Sequence, residues 1–128
     1  MAEQNRILLL AHGSSDQRWC DTFEKLARPT LSAIPQSAVA YMELSEPSLE
    51  QEVARAARDG VTHVTVLPLF LAAGRHLRRD VPAMLADYRS RYNIEIELAP
   101  PIGEDAALGE AIRSVVEKQL TGTTTLDA

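Results

Sequence analysis

Residues 6–11 read RILLLA and residues 63–71 read HVTVLPLFL, and no charged side chain interrupts either run after its first residue. Strands this apolar at successive positions cannot keep one face in water, so they belong in a parallel sheet covered on both sides. Each is followed by a stretch with helical periodicity, as are two further strand candidates, SAVAYMEL (37–44) and NIEIEL (93–98). NIEIEL alternates strictly, which predicts an edge strand with one polar face. Strand–helix units repeated in this way give a sheet with helices on both faces. With the two most apolar strands in the middle, the expected fold is one doubly wound, three-layer α/β domain with a four-stranded parallel sheet in the order 2-1-3-4.

The helices carry their own punctuation. After HGSSD (12–16), Trp19, Phe23, Leu26, Ala27 and Thr30 share a helical face, and Pro29 is expected to kink or split that helix near its end. SLEQ (48–51) reads as a capping box, with the second helix starting within 45–48 and stopping at Gly60. AAGRHLRRD (72–80) reads as loop and turn. The third helix then has Asp80 and Pro82 in its first turn and Val81, Met84, Leu85 and Tyr88 on one face. A last helix places Leu108, Ala111, Ile112, Val115 and Val116 together, and 120–128 reads as a frayed tail. No internal repeat or linker divides the chain, so residues 1–128 are expected to form one domain.

Hydrophobic residues make up 45% of the 128, enough for a sizeable core. The formal net charge of −5 argues against non-specific binding to nucleic acid or to an anionic membrane. No apolar run approaches the ~20 residues of a membrane span, and MAEQNR lacks the pattern of a secretory signal. Cys20 is the one cysteine, which excludes an internal disulfide and a cysteine metal cluster and suits a reducing cytoplasm.

Ligands in doubly wound sheets bind beyond the carboxyl ends of the strands, where the strand order reverses. That point lies between strands one and three, and it sorts the histidines. His12 follows strand one and His76 follows strand three, so both flank the crevice. His63 opens strand three at the opposite rim and reads as structural. Glu43 lies near the exit of strand two, on the rim of His12. Gly13 is expected to let a ligand approach the backbone, and Ser14 and Ser15, at a helix start, to offer N–H groups to an anion. Arg75, Arg78 and Arg79 form a basic cluster beside His76 that suits an anionic substrate. Neutral imidazole is both a ligand for divalent transition metals and a proton acceptor near neutral pH. Cys20, Trp19, Tyr41 and Met84 read as packing residues.

LLLAHGSSD (8–16), YMELSEPSLEQ (41–51) and VTVLPLFLAAGRHLRRDVP (64–82) together resemble the short-form sirohydrochlorin chelatases, the small cobaltochelatases of the class II chelatase family. The third segment is the most specific, with the pattern P-x-F-x-x-x-G-x-H-x-x-x-D-[IV]-P from Pro68 to Pro82. The resemblance implies a chelatase-like fold and insertion of a divalent metal into sirohydrochlorin, in cobalamin or sirohaem biosynthesis. It implies neither a nucleotide nor an organic cofactor. His12 and His76 match the family's metal-binding and catalytic histidines, and Glu43 its acidic residue of the second segment. Longer relatives hold two such halves, so a single-half chain is expected to form a homodimer with the macrocycle in a cleft shaped by both copies. Cobalt is the first expectation for the metal, because short forms are often associated with cobalamin synthesis; the histidine-rich tract of some cobalt-type members is absent, and iron and nickel are the alternatives. Arg75, Arg78, Arg79 and the Gly13–Ser15 backbone are expected to hold the substrate's carboxylates.

Two other classes share parts of this pattern. A strand ending in HG also resembles the phospho-accepting histidine of a sugar phosphotransferase domain, which leaves His76 and the third segment unexplained. A non-catalytic metal or tetrapyrrole carrier would use the same histidines without accelerating insertion.

Overall fold

The uninterrupted aliphatic run near the N-terminus forms β1 (Asn5–Ala11), whose last four residues are buried. The computed structural model describes residues 4–122, the side chain of His76 excepted. β1 pairs in parallel with β2 (Ser37–Tyr41) on one side and β3 (His63–Pro68) on the other, and β4 (Glu95–Leu98) pairs in parallel with β3. The order is β2-β1-β3-β4, as expected, with the two most apolar strands central.

Side-chain alternation along the strands divides the core in two. Leu8, Leu10, Val64, Val66 and Ile96 face α2 (Leu49–Arg58) and α3 (Arg75–Tyr92), where they meet Leu49, Val53, Leu77, Val81 and Leu85. Leu9, Ala11, Val39 and Tyr41 face α1 (Gln17–Ala33), where they meet Cys20, Phe23 and Ala27. The inward face of α1 is therefore Cys20–Phe23–Ala27; Leu26, expected inside, is 73% exposed.

Three expected boundaries move. β2 ends at Tyr41 rather than residue 44, because Leu44 takes a left-handed φ of 65° and turns the chain. Pro29 does not split α1, which runs on to Ala33. α3 begins at Arg75 behind Gly74 and carries Pro82 in its interior. An interior proline removes one helical hydrogen bond and typically costs ~3 kcal/mol. The apolar row Leu77, Val81, Leu85 and Tyr88, all buried, spans the break and holds the helix across it. The capping box is present: Ser48 Oγ accepts from the Gln51 N–H and Gln51 Oε1 from the Ser48 N–H. Gly60 follows that helix with φ +82°, a left-handed stop that glycine adopts without strain.

A 3₁₀ turn (Ile102–Glu104) leads to α4 (Ala106–Thr121), in which no residue is buried. Of the apolar residues read together on this helix, Leu108 in its first turn is half-buried, while Ala111, Ile112, Val115 and Val116 are exposed. Of the expected tail, Thr121 closes α4 and Gly122 caps it; 123–128 lie outside the described residues.

Candidate active site

At the carboxyl rim of the sheet the exit of β2 runs alongside the exit of β1. The Met42 N–H donates to the Ala11 carbonyl (2.9 Å) and the Glu43 N–H to that of His12 (3.0 Å). This close approach explains Gly13: its φ is +97°, and a Cβ there would overlap the Glu43 carbonyl oxygen. The room expected beside Gly13 for a ligand is thus filled by the Glu43 backbone. Ser45 fixes the same loop, its Oγ accepting from the Ser14 N–H (3.0 Å) and donating to the Ser14 carbonyl (2.9 Å). The Ser14 amide is therefore already bonded. Asp16 caps α1 with its own carboxylate, which accepts from the Arg18 N–H at 2.9 Å. A second anion beside that carboxylate is disfavoured, so of the expected anion-binding groups the arginines are better suited than this helix start.

His12 is exposed, and its imidazole stacks on the Phe70 ring with centroids 4.2 Å apart and planes 11° from parallel. Phe70 is held from beneath. The Leu69 N–H donates to the Leu10 carbonyl (2.9 Å), and the Gly103 N–H to the Phe70 carbonyl (3.0 Å). Gly103 has no space for a side chain, since a Cβ would overlap the Leu71 backbone. His76 is the second residue of α3, not a loop residue as expected. It begins the helix that the Phe70 segment enters, at the rim of His12. Arg75, Arg78 and Arg79, in the first two turns of α3, are exposed. Leu44 and Leu71, at the exits of β2 and β3 on either side of His12, are 70% and 77% exposed.

Glu43 is exposed and lines a polar cavity of about 610 Å³ with Ser14, Ser15, Cys20 and Tyr41. His12 is not among that cavity's lining residues. In its wall the Tyr41 hydroxyl donates to Glu24 (2.9 Å); burial, then this carboxylate, push the phenol well above its ordinary range. Among the described residues no group of three or more His, Cys, Asp or Glu could hold a metal ion. The structure thus sets His12 against Phe70 and beside the Glu43 backbone, while Glu43 lines the neighbouring cavity. His63 lies at the opposite rim, its Nδ1 3.0 Å from Thr62 Oγ1. A larger groove, about 1160 Å³, follows the open edge of β2 between α1 and α2 and is lined by no histidine. Phe70 and Ser45 were not singled out in the sequence, although Phe70 occupies the aromatic position of the pattern that starts at Pro68.

Comparison with known proteins converges on one group. The CbiX family model matches residues 6–119. A sirohydrochlorin cobaltochelatase of Sulfurisphaera tokodaii is 30% identical over 118 residues, 92% of this chain and 96% of its own length. The crystal structure of a cobalamin (vitamin B12) biosynthesis CbiX protein from Marinobacter aquaeolei VT8 superposes with a TM-score of 0.87 at 59% identity, covering 91% of this chain and 97% of the other. SirB, a sirohydrochlorin chelatase from Bacillus subtilis subspecies spizizenii, in complex with cobalt, superposes at 0.78 with 27% identity over 89% of this chain. SirB from Bacillus subtilis with Fe3+ does so at 0.78 with 26% identity over 98%. In both, the match takes up 50% of the SirB chain.

Proposed function

This chain belongs to the CbiX family and is, like its relatives, a sirohydrochlorin chelatase, and we propose that His12 and His76 carry the metal insertion. The observation that carries the assignment is the stacked His12–Phe70 pair at the sheet's switch point, one short segment from the helix that bears His76 and three exposed arginines.

Insertion is an exchange. The hydrated cation loses water, bonds form from the metal to the macrocycle nitrogens, and two pyrrole N–H bonds break, releasing two protons. In our reading His12 and His76 hold the incoming cation and displace part of its water, as neutral imidazoles do for divalent metals. A nitrogen bound to metal cannot at the same moment take a proton. The protons therefore go to whichever imidazole is not ligating, or to Glu43, and from there to water. Arg75, Arg78 and Arg79 receive the peripheral carboxylates as charge-assisted pairs. Gly13 and Ser14 shape the loop that carries His12. Leu44 and Leu71 offer apolar surface to the faces of a flat macrocycle. No step draws on a nucleotide or an organic cofactor.

Cobalt is our first choice of metal, supported by the relative's name and by the cobalt bound to SirB; iron, supported by SirB with Fe3+, is the second. The match to half of each SirB chain supports a homodimer in which a second copy completes the cleft. Cys20, free and buried, suits a reducing cytoplasm.

The test is anaerobic steady-state insertion of Co²⁺, Fe²⁺ and Ni²⁺ into sirohydrochlorin, with the spontaneous rate subtracted. His12→Ala and His76→Ala should each lower kcat/KM by ~10²–10⁴-fold, the usual worth of a positioned acid–base group. Near-normal insertion by either variant would refute its assigned role. Binding without acceleration by the unaltered chain would leave a carrier instead.

A further inference from the structure

We propose that Ser45 is a positioning residue for metal insertion: its hydroxyl locks the loop that carries His12 to the turn that carries Glu43. The exits of β1 and β2 stay paired past the ends of both strands, through the Met42 N–H on the Ala11 carbonyl and the Glu43 N–H on that of His12. The next link across is made by a side chain. Ser45 Oγ accepts from the Ser14 N–H at 3.0 Å and donates to the Ser14 carbonyl at 2.9 Å. One hydroxyl thus takes up both backbone polar groups of a residue just beyond His12, as the edge of a neighbouring strand would.

The turn on the β2 side needs such a hold. The Ser45 N–H donates to the Glu43 carbonyl at 2.8 Å, which closes a γ-turn about Leu44, whose φ is 65°. Leucine is disfavoured there, and a strained residue persists only where its surroundings over-determine it. Packing of the side chain does not supply the hold, since Leu44 is 70% exposed. Nor is there slack on the β1 side. The Glu43 carbonyl oxygen occupies the space that a Cβ at residue 13 would take, so a shift of the Leu44 turn is felt directly at the His12 loop.

Donor and acceptor counting shows that the hydroxyl is fully engaged. With its one hydrogen on the Ser14 carbonyl, its remaining contact, Cys20 Sγ at 3.2 Å, has the thiol as donor. Cys20 is buried in α1, and its sulfur also lies 3.6 Å from the Ser14 carbonyl, so α1 braces the lock from behind. Ser45 Oγ has no hydrogen or lone pair left for a metal or a carboxylate. It therefore acts through His12 and Glu43, and the inference rests on the roles proposed for them above.

The experiment compares the unaltered chain with Ser45→Ala, Ser45→Thr and His12→Ala in two measurements. The first is the proton spectrum of the histidine rings. The His12 Hε1 resonance should lie upfield, over the face of the Phe70 ring, and is identified by its loss in His12→Ala. Ser45→Ala should move or broaden it. Ser45→Thr, whose added methyl has room at a half-buried position, should restore it, and His63 at the opposite rim should change in neither. The second measurement is anaerobic insertion of Co²⁺ into sirohydrochlorin. In Ser45→Ala kcat should fall by ~10–100-fold, the order that a misplacement of about 1 Å costs, while KM for sirohydrochlorin stays unchanged. Ser45→Thr should recover most of kcat. An unmoved His12 resonance in Ser45→Ala would overturn the positioning role. So would a loss of kcat that threonine does not restore, or an intact kcat in Ser45→Ala where His12→Ala is impaired. Normal insertion by His12→Ala would instead refute the chemistry assigned to His12, and the lock then stands or falls by the resonance.

Discussion

The ring plane of His12, the imidazole proposed to hold the metal, is set by Phe70. The parallel stack at 4.2 Å is made between residues far apart in the chain, and such pairs are worth ~0.5–1.5 kcal/mol beyond their burial. Under the role proposed for His12, Phe70 is a positioning residue. Phe70→Ala should raise the KM for the metal by up to about tenfold while leaving the far-UV spectrum intact, and Phe70→Tyr, which keeps the ring, should restore it. Equal losses in both variants, or none in Phe70→Ala, would remove Phe70 from the mechanism. His12 was legible because an aliphatic strand that stops on an imidazole is a local pattern. Phe70 and Ser45 were not, since their roles are contacts between strand exits that only the assembled sheet brings together. Gly13 was legible as a special position but for the wrong reason: what comes close to it is the Glu43 backbone, not a ligand.

Elements were legible where local chemistry and packing agree, and misread where packing overrides propensity. Asp80 and Pro82 suggested the first turn of α3, yet the helix starts ahead of both, at Arg75, because Leu77 is drawn into the same core as Val81 and Leu85. That shift moves His76 from the expected loop onto the first turn of a helix. At α2 the two levels agree. The SLEQ box forms both of its reciprocal hydrogen bonds, at 3.1 and 2.7 Å, and Leu49 and Val53 behind it are buried. Removing a serine cap typically costs ~1 kcal/mol, and glycine in its place only a few tenths. Ser48→Ala should therefore lower the melting temperature by about 4 °C, and Ser48→Gly by much less. A loss as large in Ser48→Gly would mean that something other than the cap holds the start of α2.

Across the whole molecule the three tyrosines report on how the layers are docked. Tyr41 lies under α1 with its hydroxyl on Glu24; Tyr88 faces the α3 side of the core; Tyr92, at the end of α3, donates to Glu50 of α2 at 2.6 Å. Burial raises the first two phenols, with Glu24 adding to the first and Glu50 to the second; the Glu50 carboxylate, as hydrogen-bond acceptor, is the main cause for the third. Raised native values mean that the stability these groups contribute is fully present below the ordinary phenol value of 10.0. Above it the unfolded chain loses protons that the native chain keeps, so stability falls as pH rises towards the native values. Absorbance at 295 nm should consequently stay flat through about pH 10, then rise together with loss of the far-UV signal, as docking of α1 on the sheet and of α2 on α3 gives way. Phenolate absorbance that appears near pH 10 while the helices persist would show that the tyrosines are freely hydrated. The packing described for both faces of the sheet would then be wrong.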